Sequence, residues 1–129
     1  KQYLQDYEEV YDYRNIEVTI DEQDIFNVTI NESLAVALLT NLLKNAFVHN
    51  IDGGHIRITV TKNSITFRNS GVKNPLDKEH IFERFYQGTK KEGSTGLGLA
   101  IADSICRLQH LSIRYYFEQK EHCYEISRQ

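Results

Sequence analysis

The sequence is short of the residues that mark several classes of protein. Its 129 residues include two cysteines, one proline, and neither tryptophan nor methionine. Cys106 and Cys123 form no CxxC pair, which disfavours a disulfide scaffold or a cysteine-bound metal. No run approaches the ~20 apolar residues that cross a bilayer. No signal peptide is visible either, so we expect a reduced, cytoplasmic setting.

The charge of the chain is nearly balanced. Fifteen lysines and arginines face eighteen aspartates and glutamates, a net charge of −3. This charge gives no electrostatic reason to expect binding to nucleic acid or to an anionic membrane. The length suits one domain with a single core. Because Lys1 is not a natural start, we expect a piece of a longer protein.

Hydrophobic periodicity predicts a series of helices and strands. An acidic, tyrosine-rich stretch at residues 2–14 has helical spacing, and we expect it to enter from a preceding domain. The other predicted elements, in chain order, are a hairpin of strands 16–20 and 25–30, a helix over 31–50 capped by Asn31, a hairpin of strands 55–61 and 64–69, a weakly periodic stretch at 70–95, a helix from Gly96 with a stripe of Leu97, Ile101, Ile105 and Leu108, and strands near 111–118 and 122–127.

This order predicts the α/β class, as an α+β two-layer sandwich with helices on one face of a mostly antiparallel mixed sheet. We expect a linker helix at residues 1–15 and one domain at residues 16–129. A loop as long as residues 72–95 is usually functional in a compact domain, so we predict a lid there.

Two asparagines interrupt the most apolar helix of the chain. Asn41 and Asn45 lie one turn apart in "NLLKNAFVHN" (41–50), on a face that changes from apolar to polar. A buried amide costs free energy unless it is hydrogen-bonded. The pattern indicates the wall of a pocket, with two amides bonded to the backbone as the alternative.

A glycine-rich motif lies where a loop becomes a helix. "GSTGLGLAI" (93–101) places Gly96 and Gly98 there, so the backbone can approach a ligand closely. Free N–H groups and the helix dipole at such a point suit an anion such as phosphate. The motif has no P-loop lysine and does not follow a strand, so it is not a dinucleotide fingerprint. The alternative is a loose connection.

Two shorter motifs complete the set. "NSG" (69–71) ends a strand, and Asn69 lies in phase with its core positions, although the motif alone also fits a turn. "IFERFYQG" (81–88) surrounds Arg84 with phenylalanines, as in a lid whose cation meets phosphate. A small apolar cluster is the alternative for this second motif.

Together, in this order, the four motifs resemble those of the catalytic, ATP-binding domain of bacterial two-component sensor histidine kinases, in the Bergerat-fold ATPase superfamily. "NLLKNAFVHN" resembles the N box, "NSG" the G1 box, "IFERFY" the F box and "GSTGLGL" the G2 box. The resemblance covers residues 16–129. It implies a Bergerat-type ATP-binding fold with an ATP lid, and ATP and Mg²⁺ as cofactors.

The resemblance also implies roles for individual residues. It places Asn45 as the Mg²⁺ ligand, Asn41 beside the triphosphate and Asn69 at the adenine amino group. Amide oxygens are suitable Mg²⁺ ligands. Asn41 and Arg84 are the implied catalytic residues. The other implied nucleotide-binding positions are His49, Gly71, Thr95, Gly96, Leu97, Gly98 and Leu99.

The chain departs from the family pattern at four positions. Asn69 replaces an aspartate, Lys73 lies near the place of a glycine, and Val48 and Gln87 replace cations that serve the phosphates. One alternative is therefore a degenerate nucleotide-binding or docking module without kinase activity. Another is a superfamily ATPase or anti-sigma-type serine kinase, which Asn41 disfavours because it replaces a glutamate base.

The implied partners lie outside the chain. None of the five histidines is followed by the acidic residue typical of the family's phosphate acceptor. The resemblance therefore implies transfer to a histidine on a dimerisation domain of the same kinase, with a response regulator acting through that domain. We expect a cytoplasmic domain of a membrane-anchored sensor, with no nucleic-acid partner and no direct membrane contact.

Overall fold

The computed structural model describes residues 15–77, 79–83 and 97–129. The predicted helix at residues 2–14 lies outside them. The helices and strands of the described residues are β1 (Glu17–Glu22), α1 (Glu32–Val48), β2 (His55–Val60), β3 (Ser64–Asn69), α2 (Gly98–Leu108), β4 (Leu111–Glu118) and β5 (Glu121–Arg128). Neither of the two helices in the described residues is both long and apolar enough to span a membrane.

The strands form one five-stranded mixed sheet in the order β1-β2-β3-β5-β4. β1 pairs with β2 in parallel, and the other neighbours are antiparallel. The two helices pack together and against one face of the sheet. Side chains from both layers meet in a single core that includes Leu42, Phe47, Ile56, Phe67, Ile105 and Ile126. The predicted two-layer sandwich is confirmed.

The predicted hairpin at 16–20 and 25–30 is wrong. β1 is a strand, but it pairs in parallel with β2, and residues 25–30 form no strand. The alternation of that stretch has another cause, because Phe26, Val28 and Ile30 pack partly buried against the core. The Arg128 guanidinium donates to the Asn27 carbonyl at 3.0 Å in place of a strand partner.

The predicted apolar stripe of the second helix is also partly wrong. Ile101 and Leu108 are 42% and 67% exposed, whereas Ile105 is buried. The small residues Ala102 and Cys106 are buried beside Ile105 instead. Small side chains let two helices approach closely, so α2 contacts its neighbours through a face with few large residues. The prediction followed the large apolar residues of α2, and the face they define is rotated from the face that the structure buries.

The predicted cap of the long helix is confirmed. The Asn31 side-chain oxygen accepts a hydrogen bond from the Leu34 N–H at 3.1 Å, which satisfies one donor of the first turn. The helix ends at Val48, two residues before the predicted end.

A buried amide joins the end of α1 to the sheet. The Asn50 side chain donates to the His55 carbonyl at 3.0 Å and accepts from the Ser70 hydroxyl at 2.6 Å. Its oxygen also accepts from the Ile51 N–H at 2.8 Å. The Ser70 oxygen in turn accepts from the His55 N–H at 2.9 Å. We call Asn50, His55 and Ser70 the helix–sheet junction, since they fix the end of α1 against the start of β2 and the end of β3.

Removing the Asn50 amide should destabilise the fold more than removing an ordinary helix cap. Asn50→Ala removes three hydrogen bonds of a buried amide, at ~0.5–1.5 kcal/mol each, so we expect a loss of about 2–4 kcal/mol in the free energy of unfolding. The control is Asn31→Ala at the other end of α1, for which a cap contributes about 1 kcal/mol. Urea denaturation measures both values. Equal losses would show that the junction contributes no more than a cap.

Candidate functional site

Asn41 brings α1 against the start of α2. Its amide nitrogen donates to the Ala37 carbonyl at 2.7 Å, which is the backbone bond of the alternative interpretation. The amide oxygen points elsewhere, because a Cβ added to Gly98 would lie 3.3 Å from it. Only the nitrogen of the Asn41 amide therefore bonds the backbone, and its oxygen faces the glycine-rich motif.

Asn45 lies one turn further along the same helix. It is half-buried, and its side chain makes no hydrogen bond within the described parts of the chain. Its main-chain carbonyl accepts from the His49 N–H at 3.1 Å as α1 ends. The side-chain oxygen of Asn45 is therefore open to a ligand such as a divalent cation.

The start of α2 differs from the start of α1. Leu97 occupies the capping position of α2 without a side-chain hydrogen bond, and the first turn holds no acidic residue. α1 begins instead with the Asn31 cap and Glu32. Among the described residues, the positive end of the α2 dipole therefore has neither a side-chain cap nor a carboxylate, an arrangement that suits an anion. Leu99 packs partly buried against the core and anchors this turn.

Asn69 is the residue of the candidate site that lies on the sheet, at the end of β3. Its side chain is 2% exposed at the end of β3, as predicted from its phase. The amide nitrogen donates to the Ser70 carbonyl at 2.8 Å, which fixes the orientation of the amide. The amide oxygen is buried and has no hydrogen-bond partner in the described structure. An orphaned acceptor costs ~1–3 kcal/mol, so this oxygen indicates a ligand that donates to it.

Gly71 is required by close packing. A Cβ at this position would lie 2.9 Å from the His49 carbonyl and 3.1 Å from Cδ2 of His122. His49 itself is half-buried at the end of α1. The contact therefore holds the segment after β3 directly against the end of the asparagine-bearing helix.

The segment predicted to be a lid, at about residues 72–95, begins with anchored residues. Ile81 is 2% exposed, and Leu76 and Phe82 pack against the same core. Arg84, Thr95 and Gly96 lie outside the described residues, so their roles stay predictions. The limits of the lid stay a prediction as well.

Four residues with structural roles at the site were missed by sequence reasoning. Asn50 and Ser70 form the helix–sheet junction, and Tyr115 and His122 bond each other under the segment that follows Gly71. A signal for the last two was present in the sequence. Tyr115 lies in phase with Ile113 of β4, and His122 with core residues of β5, so both polar side chains face the core.

Comparison with known proteins settles the family. Residues 30–126 match the histidine kinase-, DNA gyrase B-, and HSP90-like ATPase family. The chain belongs to this family. The matched range contains both helices and every site residue described above.

Two curated relatives narrow the family to sensor histidine kinases. The chain is 43% identical to the sensor histidine kinase RppB of Synechocystis over 84 residues, 58% of this chain and 18% of that protein. It is 36% identical to the heme sensor protein HssS of Staphylococcus aureus over 109 residues, 81% of this chain and 24% of that protein. The chain thus spans a quarter or less of the length of these relatives.

Solved structures share the fold. The catalytic domain of histidine kinase ThkA superposes with a TM-score of 0.82 at 24% identity, covering 97% of this chain and 86% of that one. ThkA in complex with the response regulator protein TrrA gives a TM-score of 0.78 at 23% identity, covering 97% of this chain and 37% of that one. These structures show the fold of a histidine kinase catalytic domain. The family match and the two relatives, not the superpositions, indicate that the chain is an ATP-binding domain of the sensor histidine kinase type.

Proposed function

We propose that this catalytic domain binds Mg·ATP between α1, the start of α2 and the end of β3. We further propose that it transfers the γ-phosphoryl group to a histidine on a dimerisation domain of the same kinase. The observation that carries the proposal is the buried, unpartnered oxygen of Asn69, which lies on the core side of the sheet beside the end of α1.

The adenine base fits the end of β3. The Asn69 oxygen can accept a hydrogen bond from the adenine amino group. Rotating the amide to present a donor instead would break its bond to the Ser70 carbonyl at 2.8 Å. The orientation of Asn69 thus favours a base that offers an amino group at this point. Gly71 follows this strand end, where the His49 carbonyl and the His122 ring approach so closely that no side chain fits.

The phosphates fit the space between the helices. The first turn of α2 has no side-chain cap in the part of the chain that the structure describes, and it presents the positive end of the helix dipole. The Asn41 oxygen faces the same turn. When bound, Mg²⁺ would neutralise phosphate charge, and the Asn45 amide oxygen would hold it. A neutral amide is a suitable ligand, because Mg²⁺ takes few protein ligands and keeps water and phosphate oxygens.

The identity of Asn41 favours phosphoryl transfer to a histidine over hydrolysis of ATP. Hydrolysis with a general base needs a group that accepts a proton from water, and an uncharged amide does not do so. Transfer to another protein needs positioning and charge stabilisation, which the described residues can supply. We propose that a response regulator acts downstream through the dimerisation domain. The ATP-binding domain would lie in the cytoplasm as part of a membrane-anchored sensor.

The role of Asn45 is tested by the magnesium dependence of ATP binding. Asn45→Ala should lower ATP affinity in the presence of Mg²⁺ by about tenfold or more, since charge-assisted contacts contribute ~1.5–3 kcal/mol. Affinity in EDTA should change little. Calorimetric titration measures both affinities, and Asn31→Ala, on the same helix but away from the site, serves as the control. An unchanged Mg²⁺ enhancement in Asn45→Ala would refute the assignment.

The transfer reaction is tested with γ-labelled ATP. The chain alone should bind ATP and remain unlabelled, because none of its histidines has an acceptor context and the reaction needs an in-line partner. Adding the dimerisation domain of the same kinase should give acid-labile label on that partner. Label on this chain would contradict transfer to a separate domain. ATP binding without label on either protein would favour the degenerate docking module.

A further inference from the structure

His122 lies directly beside the proposed base pocket. It is 3% exposed on β5 and is the register partner of Asn69 on β3, so both side chains are on the core face of the sheet. Tyr115 of β4 stacks against it, with ring centroids 5.9 Å apart and an interplanar angle of 23°. A buried, polar aromatic pair therefore lies next to the unpartnered oxygen of Asn69.

Both ring nitrogens of His122 are hydrogen-bonded, and the chemistry of the partners fixes the proton positions. Nε2 lies 2.7 Å from the Val72 carbonyl, which can only accept, so Nε2 carries the proton. Nδ1 then keeps its lone pair and accepts from the Tyr115 hydroxyl at 2.7 Å. The Tyr115 oxygen in turn accepts from the Leu76 N–H at 2.9 Å. We call this chain of hydrogen bonds, from the Val72 carbonyl through His122 and Tyr115 to the Leu76 N–H, the relay. In this arrangement the imidazole of His122 is neutral.

The relay holds the segment that follows the base-contacting strand. His122 bonds the segment at Val72, and Tyr115 bonds it four residues later at Leu76. Gly71 packs on the edge of the same imidazole. The main chain from Gly71 to Leu76 is therefore fixed from the sheet at both ends, immediately after Asn69.

The described neighbours of His122 on its own face of the sheet are uncharged. Phe117 of β4 lies at a ring-centroid distance of 4.8 Å, and Asn69 lies opposite on β3. Tyr115 is the titratable side chain that bonds it. The end of α1 approaches through the main-chain carbonyl of His49, which contacts Gly71 rather than the imidazole.

Charged groups lie on the other face of the sheet. Glu121 precedes His122, so its carboxylate points away and bonds His55 and Arg57 there. Burial lowers the pKa of His122, and the bond to the Val72 carbonyl opposes this shift only in part. The imidazole is therefore neutral near pH 7, as the relay requires.

We propose that His122 and Tyr115 are positioning residues for nucleotide binding, which hold the Gly71–Leu76 segment so that Asn69 and Gly71 present a formed pocket to the base. This inference rests on the proposed function. It adds two residues that would act by holding this segment in place. It also makes nucleotide affinity depend on a neutral histidine.

Tyr115→Phe tests the relay with little change in shape. It removes the hydroxyl that joins the histidine to the Leu76 N–H, and one neutral hydrogen bond corresponds to about fivefold in affinity for Mg·ATP. Tyr116→Phe is the matched control, because the next residue faces the opposite side of the sheet, where its ring lies 4.8 Å from the Arg114 guanidinium. Hydrogen exchange of the Leu76 amide should accelerate in Tyr115→Phe and not in Tyr116→Phe.

A pH series supplies a readout that a merely structural residue would not change. The parent should lose affinity for Mg·ATP as the pH falls through the lowered pKa of His122, below the ordinary value of about 6.5. His122→Gln should lack this loss, so the ratio of the two affinities should change with pH. Protonation of ATP itself is common to both proteins and cancels in that ratio.

The outcomes separate this inference from the proposed function. A parent that binds ATP, with Tyr115→Phe equal to Tyr116→Phe in affinity and in Leu76 exchange, overturns the positioning role and leaves the proposed function intact. A ratio of parent to His122→Gln affinity that is constant with pH overturns the requirement for neutral histidine. A parent that binds no ATP overturns the proposed function and the positioning role together.

Discussion

The buried amide of Asn50 is the interaction on which the site depends. Its two polar groups bind the start of β2 and the residue after β3, and these contacts bring the end of α1 against the sheet. Asn45 precedes Asn50 on the same chain segment, and Asn69 precedes Ser70. The hydrogen bonds that fix the fold therefore also fix the distance between the proposed metal ligand and the proposed base contact.

The candidate site contains polar groups without hydrogen-bond partners, in contrast to the helix–sheet junction. Asn50 is hydrogen-bonded through both its nitrogen and its oxygen, whereas among the described residues the Asn69 oxygen is buried without a partner and the first turn of α2 has no side-chain cap. Each orphaned group costs stability. The Asn69 oxygen lies near the C-terminal end of α1, and the start of α2 contacts Asn41 of the same helix, as expected of a site that a polar ligand completes.

The sequence predicted the layers and the asparagines but not how they are joined. Periodicity located β3 and the inward phase of Asn69, since both depend on local alternation alone. The strand at 25–30 and the stripe through Ile101 failed because alternation and apolarity do not distinguish strand pairing from side-chain packing. Asn50 was missed for a related reason, because its partners lie up to twenty residues away in the sequence. The roles of individual site residues came from resemblance.

The central claim is that Asn69 contacts the adenine base, and titration of ATP and GTP into Asn69 variants tests it most directly. A neutral bond contributes ~1 kcal/mol and a charged acceptor ~1.5–3, so Asn69→Ala should weaken ATP binding and Asn69→Asp should strengthen it, each by about fivefold. The parent should bind ATP more tightly than GTP, and Asn69→Ala should lose this preference. Asn63→Ala, at the other end of the β2–β3 hairpin, is the control. Unchanged ATP affinity in Asn69→Ala would contradict the account.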